Sequence, residues 1–307
     1  MASGECKSGA AQTGAVSRSR SVAPASGYRI VKLANGAHSV HSLAHAETFH
    51  PVVGPVAEAE ALYVRQLRLV ERVKRHRGEF VIWDVGLGAA ANAITVLRAT
   101  REIACSLRLL SFDHTLEPLE FALQHIEHLN YLPGYEENLQ RLLQKSRVSF
   151  QHGAQKVSWE MHLADFPSLL EKPATRDLAK PHAIMFDAFS PAKNPAMWTA
   201  PLFANLFQLL DPRRPCALPT YSRSTMLRVT LLLAGFYVGV GHATGEKEET
   251  TIAANTLNVV DEPLDRRWLE RARRSTSAEP MWEPVYRQAR LTPETWEKLR
   301  AHPQFNQ

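Results

Sequence analysis

From residue 79 onward, short apolar runs alternate with stretches of helical periodicity, and this alternation limits the folds open to the chain. Parallel strands that are buried on both faces read as nearly continuous apolar runs. Four such runs are present: 80-FVIWDV-85, 107-LRLLSFD-113, 183-AIMFDAF-189 and 216-CALPTYS-222. Helical periodicity fills the intervals near residues 90–103, 116–130, 198–210 and 224–235. The pattern predicts an α/β fold with a doubly wound, Rossmann-like sheet.

Shorter patterns flank this region. The segments 236-FYVGVGH-242 and 250-TTIAAN-255 follow the last predicted helix and indicate an antiparallel pair at one edge of the sheet. Near the N-terminus, Asn35-Gly36 lies between two strand-like runs within residues 28–43, which predicts a β-hairpin. A helix is expected from about 56 to 76.

Composition divides the chain into four expected regions. They are a disordered leader rich in Ala, Ser and Gly at 1–26, a hairpin and helix at 27–78, the Rossmann-like domain at 79–261, and a basic tail with Trp and Pro at 262–307. The longest nearly apolar run, 229–241, is too short to cross a bilayer, so no membrane span is expected.

Cysteine usage and charge indicate the setting of the protein. The three cysteines, Cys6, Cys105 and Cys216, have no CxxC spacing, which argues against a disulfide framework or a structural zinc site and favours a reducing cytoplasm. A net charge of +5 weakly favours a polyanionic partner. On a helix, four arginines would form a basic stripe that is either a solvated face or a phosphate-binding surface: Arg65, Arg68, Arg72 and Arg75.

The turn after the first long strand, 84-DVGLGAAAN-92, indicates which cofactor the sheet binds. Gly86 and Gly88 allow the backbone to approach a ligand, but the third glycine of a dinucleotide fingerprint is missing. The acidic Asp84 disfavours a diphosphate and favours a cationic or amine-bearing ligand. These features favour S-adenosylmethionine over NAD.

Two further carboxylates support that interpretation. Asp113 ends the second strand, where it can accept hydrogen bonds from ribose hydroxyls. Asp165, in 161-MHLADF-166, is placed to meet the adenine amino group at the end of the third strand. Each aspartate alone is more often a cap or turn residue, but three carboxylates closing three strands form a stronger signal.

Longer motifs resemble one enzyme family. The matching segments are 47-ETFHPVVGPVAEAEALYV-64, 84-DVGLGAAAN-92, 111-SFD-113, 187-DAFSPAKNPAMW-198 and, more weakly, 234-AGFYVGVGHATGEKEET-250. They resemble the MnmC/MnmD-type methyltransferases, which use S-adenosylmethionine to complete 5-methylaminomethyluridine at the tRNA wobble position. The resemblance implies a class I methyltransferase sheet, tRNA as partner, and the stand-alone form without the flavin oxidase domain.

The resemblance also implies roles for residues in the loop 187–198. Asp187 is expected to hold the substrate amine and accept its proton as the catalytic base. Lys193 and Asn194 are expected to contact the phosphate or base edge of a flipped nucleotide, and Phe189 or Trp198 to stack on the base. A buried Trp198 and a solvent-exposed Lys193 are the alternatives. Glu58 is expected to assist Asp187, or simply to lie at a helix start.

Departures from the family pattern keep other functions open. Ala89 and Ala90 replace the second half of the usual glycine-rich turn, and Glu248 replaces a common arginine. A methyltransferase acting on a small-molecule amine, or a non-catalytic binding protein, are therefore alternatives. The histidines at 38, 41, 45 and 50 lack a carboxylate in ligand register, so no metal is expected. The sequence does not determine the oligomeric state.

Overall fold

A computed structural model describes residues 27–245 and 248–306. The leader predicted at 1–26 and Lys247 lie outside these residues. An N-terminal three-stranded sheet contains β1 (Tyr28–Lys32), β2 (His38–Ser42) and β3 (Glu47–Thr48), paired in that order. The first two strands form an antiparallel hairpin around Asn35-Gly36, as the sequence predicted.

The helix predicted at 56–76 is divided into three pieces. They are α1 (Pro55–Ala59), a π-helix (Glu60–Arg65) and α2 (Leu69–Arg75). Arg68 adopts a left-handed conformation (φ 49°) and interrupts the helical path, so the basic stripe predicted along one helix is wrong. Arg72 is turned toward the sheet, where its guanidinium donates hydrogen bonds to the carbonyls of His182 (2.6 Å) and Pro215 (3.3 Å).

The central sheet has eight strands and confirms the Rossmann-like prediction. Its strands are β4 (Glu79–Val85), β5 (Ser106–Asp113), β6 (Arg147–His152), β7 (Gln155–Leu163), β8 (Ala183–Phe186), β9 (Ala217–Thr220), β10 (Tyr237–Gly241) and β11 (Thr250–Ala254). Their order is β10-β11-β9-β8-β4-β5-β7-β6. The five central strands are parallel, and the predicted pair β10–β11 is antiparallel. Strand β6, which forms a hairpin with β7, was not predicted.

Helices cover both faces of the sheet. They are α3 (Ala91–Ala99), α4 (Glu117–Gln124), α5 (Glu136–Lys145), α6 (Phe166–Glu171), α7 (Ala200–Leu209), α8 (Thr225–Leu233), α9 (Arg266–Arg274) and α10 (Pro293–Arg300). Single helical turns lie at Ile126–His128, Pro173–Asp177, Pro195–Trp198, Leu257–Val259 and Pro303–Phe305. No helix within the described ranges is both long and apolar enough to cross a membrane.

Alternation along β4 explains why this strand is apolar throughout. Phe80 and Ile82 pack into the hydrophobic cluster on one face, while Val81, Trp83 and Val85 pack into the cluster on the other. Burial of both faces removes the polar alternation of a half-exposed strand. Helices α9 and α10 of the predicted tail pack into the second cluster through Trp268, Leu269 and Leu299, and the turn Pro303–Phe305 adds Phe305. The four domain boundaries stay a prediction.

Candidate active site

A cavity of about 790 Å³ lies at the carboxyl ends of β4, β5, β7 and β8, beneath the N-terminal sheet. In open α/β sheets this edge is the usual place for ligand binding. The cavity is lined by most of the predicted site residues: Glu58, Gly86, Gly88, Asp113, Asp165, Asp187, Lys193 and Asn194. Asp84 and Trp198 do not line it.

The glycine turn is fixed by close contacts on both sides. Gly86 has φ +89°, and a Cβ on it would lie 2.6 Å from the carbonyl oxygen of Asp187, so only glycine fits. The amide of Gly88 donates to Asp113 Oδ2 at 3.0 Å, which ties the turn to the end of β5. Ala90, where the family has glycine, adopts a left-handed conformation (φ 62°) that costs an alanine roughly 1 kcal/mol.

Asp113 is held in place by backbone donors. Besides Gly88, the amide of His114 donates to Asp113 Oδ1 at 2.8 Å, and His114 Nδ1 lies 3.1 Å from the same oxygen. The amide of Thr115 also approaches Oδ1, at 3.4 Å. Among the described residues Oδ2 accepts only the Gly88 hydrogen bond, so a ligand hydroxyl can still bind at Oδ2. The structure thus orients Asp113 at the cavity wall, where ribose hydroxyls were expected to bind.

Asp165 caps helix α6. Its Oδ2 accepts hydrogen bonds from the amide of Ser168 (3.1 Å) and from the Ser168 hydroxyl (2.5 Å). This is the helix-cap role that the sequence left open as an alternative. Asp165 also lines the cavity, so its expected contact with adenine stays a prediction.

The prediction that Asp84 contacts the cofactor is wrong. Along β4 its side chain points to the sheet face rather than past the strand end, and it is 1% exposed. Ser111 Oγ donates to Asp84 Oδ2 at 2.7 Å, whereas Oδ1 has no hydrogen-bond partner among the described residues. Burial raises the Asp84 pKa to about 8, with a smaller contribution from the charge of Asp187. The carboxyl is therefore largely protonated at neutral pH.

Asp187 is the first residue after β8 and reaches the cavity centre. Its amide donates to the Val85 carbonyl at 2.9 Å, which fixes the backbone beside β4. Its Oδ2 accepts a hydrogen bond from Asn92 Nδ2 at 2.7 Å. Asn92 belongs to the first turn of α3, directly behind the glycine turn. Asn92 lies within the glycine-turn motif, but no role was predicted for it.

His50 lies between Asp187 and Glu58, the two carboxylates that were expected to act together on the substrate amine. His50 Nε2 lies 3.5 Å from Asp187 Oδ2, and Nδ1 lies 3.7 Å from Glu58 Oε1. Burial lowers the pKa of His50, but the nearby charges of Asp187 and Glu58 outweigh it and raise the pKa to about 9. An imidazolium at this position offsets part of the negative charge of the two carboxyl groups. The matched segment 47–64 contains His50 and was the available signal.

Residues of the N-terminal sheet hold the loop that follows Asp187. The Ser190 amide donates to Glu47 Oε2 at 3.1 Å, and the Ser190 hydroxyl donates to Glu47 Oε1. The His45 ring stacks on Phe189 with 4.0 Å between centroids. Phe189 lines the cavity, and the exposed Lys193 lies at its rim. The N-terminal sheet therefore forms one wall of the site.

The base-stacking role predicted for Trp198 is not compatible with its position. Trp198 is 1% exposed, and its indole Nε1 donates to the Phe189 carbonyl at 2.7 Å. Its ring packs edge-on against Phe186, 5.3 Å between centroids. Trp198 is thus a core residue that supports the loop from below, which is the alternative that the sequence left open.

The cavity suits a cationic cofactor with a nucleoside part. Its volume lies within the range of sites for small molecules and cofactors. The backbone approach allowed by Gly86 and Gly88 and the oriented carboxylate of Asp113 provide contacts for the two ends of such a ligand.

Residues 132–256 match a family model described as S-adenosyl-L-methionine-dependent methyltransferase. Over these residues the chain is similar to S-adenosylmethionine-dependent methyltransferases.

Individual relatives support this statement. The tRNA 5-methylaminomethyl-2-thiouridine biosynthesis bifunctional protein MnmC of Burkholderia mallei (strain SAVP1) is 27% identical over 218 residues, a match covering 64% of this chain and 31% of that protein. MnmC of Aeromonas hydrophila is 28% identical over 206 residues, covering 63% and 30%. The chain thus spans less than a third of the length of these relatives.

A solved structure confirms the fold. MnmC2 from Aquifex aeolicus superposes with a TM-score of 0.64 at 23% sequence identity, covering 90% of this chain and 83% of that one. The predicted resemblance to MnmC/MnmD-type methyltransferases and the predicted cofactor are both confirmed.

Proposed function

We propose that the protein methylates the primary amine of 5-aminomethyluridine at the tRNA wobble position, giving 5-methylaminomethyluridine. The observation that carries this proposal is the hydrogen bond from Asn92 to Asp187, which fixes a carboxylate beside the glycine turn where the cofactor is expected to bind. The motif 187-DAFSPAKNPAMW-198 and the MnmC relatives support the choice of substrate. We expect the reaction to take place in the cytoplasm.

The cofactor supplies an electrophilic methyl group, and the protein prepares the nitrogen that receives it. An ammonium has no lone pair, so the substrate amine must lose a proton before it can react. Asp187 accepts that proton, directly or through water, and passes it to solvent. General-base assistance of this kind is worth about 10²–10⁴-fold.

His50 adjusts how strongly the site holds the substrate. Two unpaired carboxylates would bind the unreactive ammonium form tightly. The imidazolium of His50 offsets part of this negative charge, so the amine is attracted without being trapped as an ammonium. Glu58 balances His50 from the side opposite to Asp187.

Residues around the rim fit an extruded nucleotide. Phe189 presents a ring to the cavity and is held by the stacked His45, so it is preorganised to stack on a base. Lys193 is exposed and can meet a phosphate, while Asn194 can hydrogen-bond a base edge. The predictions that no metal takes part and that tRNA is the partner stay part of this proposal.

The test uses tRNA isolated from a strain that accumulates 5-aminomethyluridine derivatives. Purified protein and S-adenosylmethionine should convert these nucleosides to methylaminomethyl forms, detected by mass spectrometry after digestion. Methylation of free amines with no change in tRNA would instead assign the protein to small-molecule substrates. Cofactor binding without methylation of either substrate would indicate a non-catalytic binding protein.

A further inference from the structure

A second concave surface lies at the opposite edge of the sheet from the cofactor cavity. This surface, the arginine groove, has a volume of about 720 Å³ and lies at the amino ends of β4 and β9 and just before β8. Its arginines come from the end of α2 and from the turn before β9: Arg72, Arg75, Arg77, Arg213 and Arg214. Arg72 and Arg75 of the predicted basic stripe thus lie beside Arg213 and Arg214, which are distant in the sequence.

Arg72 organises the groove. Its guanidinium donates to the carbonyls of His182 and Pro215 and lies 5.5 Å from the centroid of the Phe80 ring. These contacts fasten the end of α2 to the sheet edge. Arg75 and Arg77 are consequently held beside Arg213 and Arg214.

The groove has an excess of positive charge. Its two acidic residues are engaged at 3.7 Å, Glu79 with Arg108 and Asp211 with Arg213. Arg75, Arg77 and Arg214 form no ion pair with another described residue. The pKa of His182 in the groove is lowered to about 4, first by burial and then by the positive charges of Arg214, His76 and Arg72.

We propose that the arginine groove binds phosphate groups of the RNA backbone outside the active site. Guanidinium groups pair with phosphate oxygens in a two-pronged geometry that suits this role. The inference rests on the proposed function, because it assumes that the RNA is the tRNA whose modified nucleotide enters the cofactor cavity. Strand β4 has seven residues and separates the two sites by roughly 23 Å. A single nucleotide cannot fill both sites, whereas an RNA stem running past the sheet edge can contact both.

The experiment compares two triple charge reversals. The groove variant carries Arg75→Glu, Arg77→Glu and Arg213→Glu; the control variant carries Arg267→Glu, Arg271→Glu and Arg274→Glu on the exposed face of α9. Both change the net charge equally. Affinity for an unmodified tRNA transcript is measured by filter binding or anisotropy between about 50 and 200 mM salt. Thermal unfolding and S-adenosylmethionine binding verify that both variants are folded.

The groove variant should bind tRNA about tenfold more weakly or worse, and the slope of log K against log salt should fall by about two to three. The control variant should change the affinity far less. Wild-type affinity in the groove variant, or an equal loss in the control, would overturn the proposal. A calorimetric titration with inorganic phosphate gives a further test. If wild-type protein releases heat on binding phosphate, and the groove variant does not but keeps its tRNA affinity, the groove binds a small phosphorylated ligand and the proposal is wrong.

The experiment distinguishes failure of the groove proposal from failure of the proposed function. Groove-dependent tRNA binding by a wild-type protein that does not methylate tRNA would support the groove and contradict the proposed function. Normal methylation and normal affinity in the groove variant would support the proposed function and contradict the groove.

Discussion

Asn92 Nδ2 donates a 2.7 Å hydrogen bond to Asp187 Oδ2 and thereby joins the helix behind the glycine turn to the loop after β8. The two residues are 95 positions apart in the chain. The bond directs one carboxylate oxygen toward α3, while the backbone of Asp187 is fixed by Val85. The candidate base and the cofactor turn are thus built as one unit.

Replacing Asp187 by Asn should separate binding from turnover. The asparagine side chain keeps the shape of the aspartate side chain but cannot accept the amine proton at neutral pH. Turnover should therefore fall about 10²–10⁴-fold. Affinity for S-adenosylmethionine, measured by calorimetry, should change little. Asp261→Asn, at an exposed position, is the matched control and should retain full activity. Unchanged turnover in Asp187→Asn would remove this residue from its role.

Comparing Gly86→Ala with Gly78→Ala measures the effect of the close contact between the glycine turn and Asp187. Gly86→Ala meets both backbone strain at φ +89° and a carbonyl oxygen 2.6 Å from the new Cβ. Gly78→Ala meets similar strain at φ +94° but has no atom within 4 Å. Urea unfolding should give a loss of about 1 kcal/mol for Gly78→Ala and at least 2–3 kcal/mol for Gly86→Ala. Equal losses would mean that the turn can shift away from Asp187.

Asp84→Asn should stabilise the protein increasingly as pH rises. The pKa of Asp84 is raised from 3.8 to about 8, so the folded state binds a proton that the unfolded state releases. This group therefore lowers the free energy of unfolding as pH rises from about 4 to 8. Denaturant titrations at several pH values should show the difference between variant and wild type growing across that range. S-adenosylmethionine binding should persist, because Asp84 does not line the cavity.

His50→Asn should change the pH dependence of stability in a higher pH range. Asn tolerates the left-handed backbone at this position (φ 49°). The His50 pKa is raised from 6.5 to about 9, so its stabilising charge is fully present below 6.5 and is lost as pH rises through 9. The variant should be less stable by roughly 3 kcal/mol near neutral pH, and the gap should close above the raised pKa. His128→Asn, at an exposed site, is the matched control for the loss of a histidine.

The features that the sequence predicted correctly depend on local patterns. Apolar runs buried on both faces predicted the strands, and Asn35-Gly36 predicted the hairpin, because these signals are written in neighbouring residues. The wrong predictions concerned the direction in which a side chain points and whether it is buried. Whether a residue at a strand end, such as Asp84, faces the sheet interior or the cavity depends on the register of the strand. For Trp198, the sequence shows an aromatic residue near a loop but not whether it is buried.

The amino-acid sequence alone determined the alternating α/β order, the glycine turn and the carboxylates that follow successive strands. Only the tertiary structure decided which of these groups meet. His50 and Glu58 lie in one segment of the chain, and Asn92 and Asp187 lie in two others. They interact because folding places each within 4 Å of a neighbour at the cavity. Electrostatic coupling depends on distance and on exclusion of water, and neither quantity is encoded in residue order.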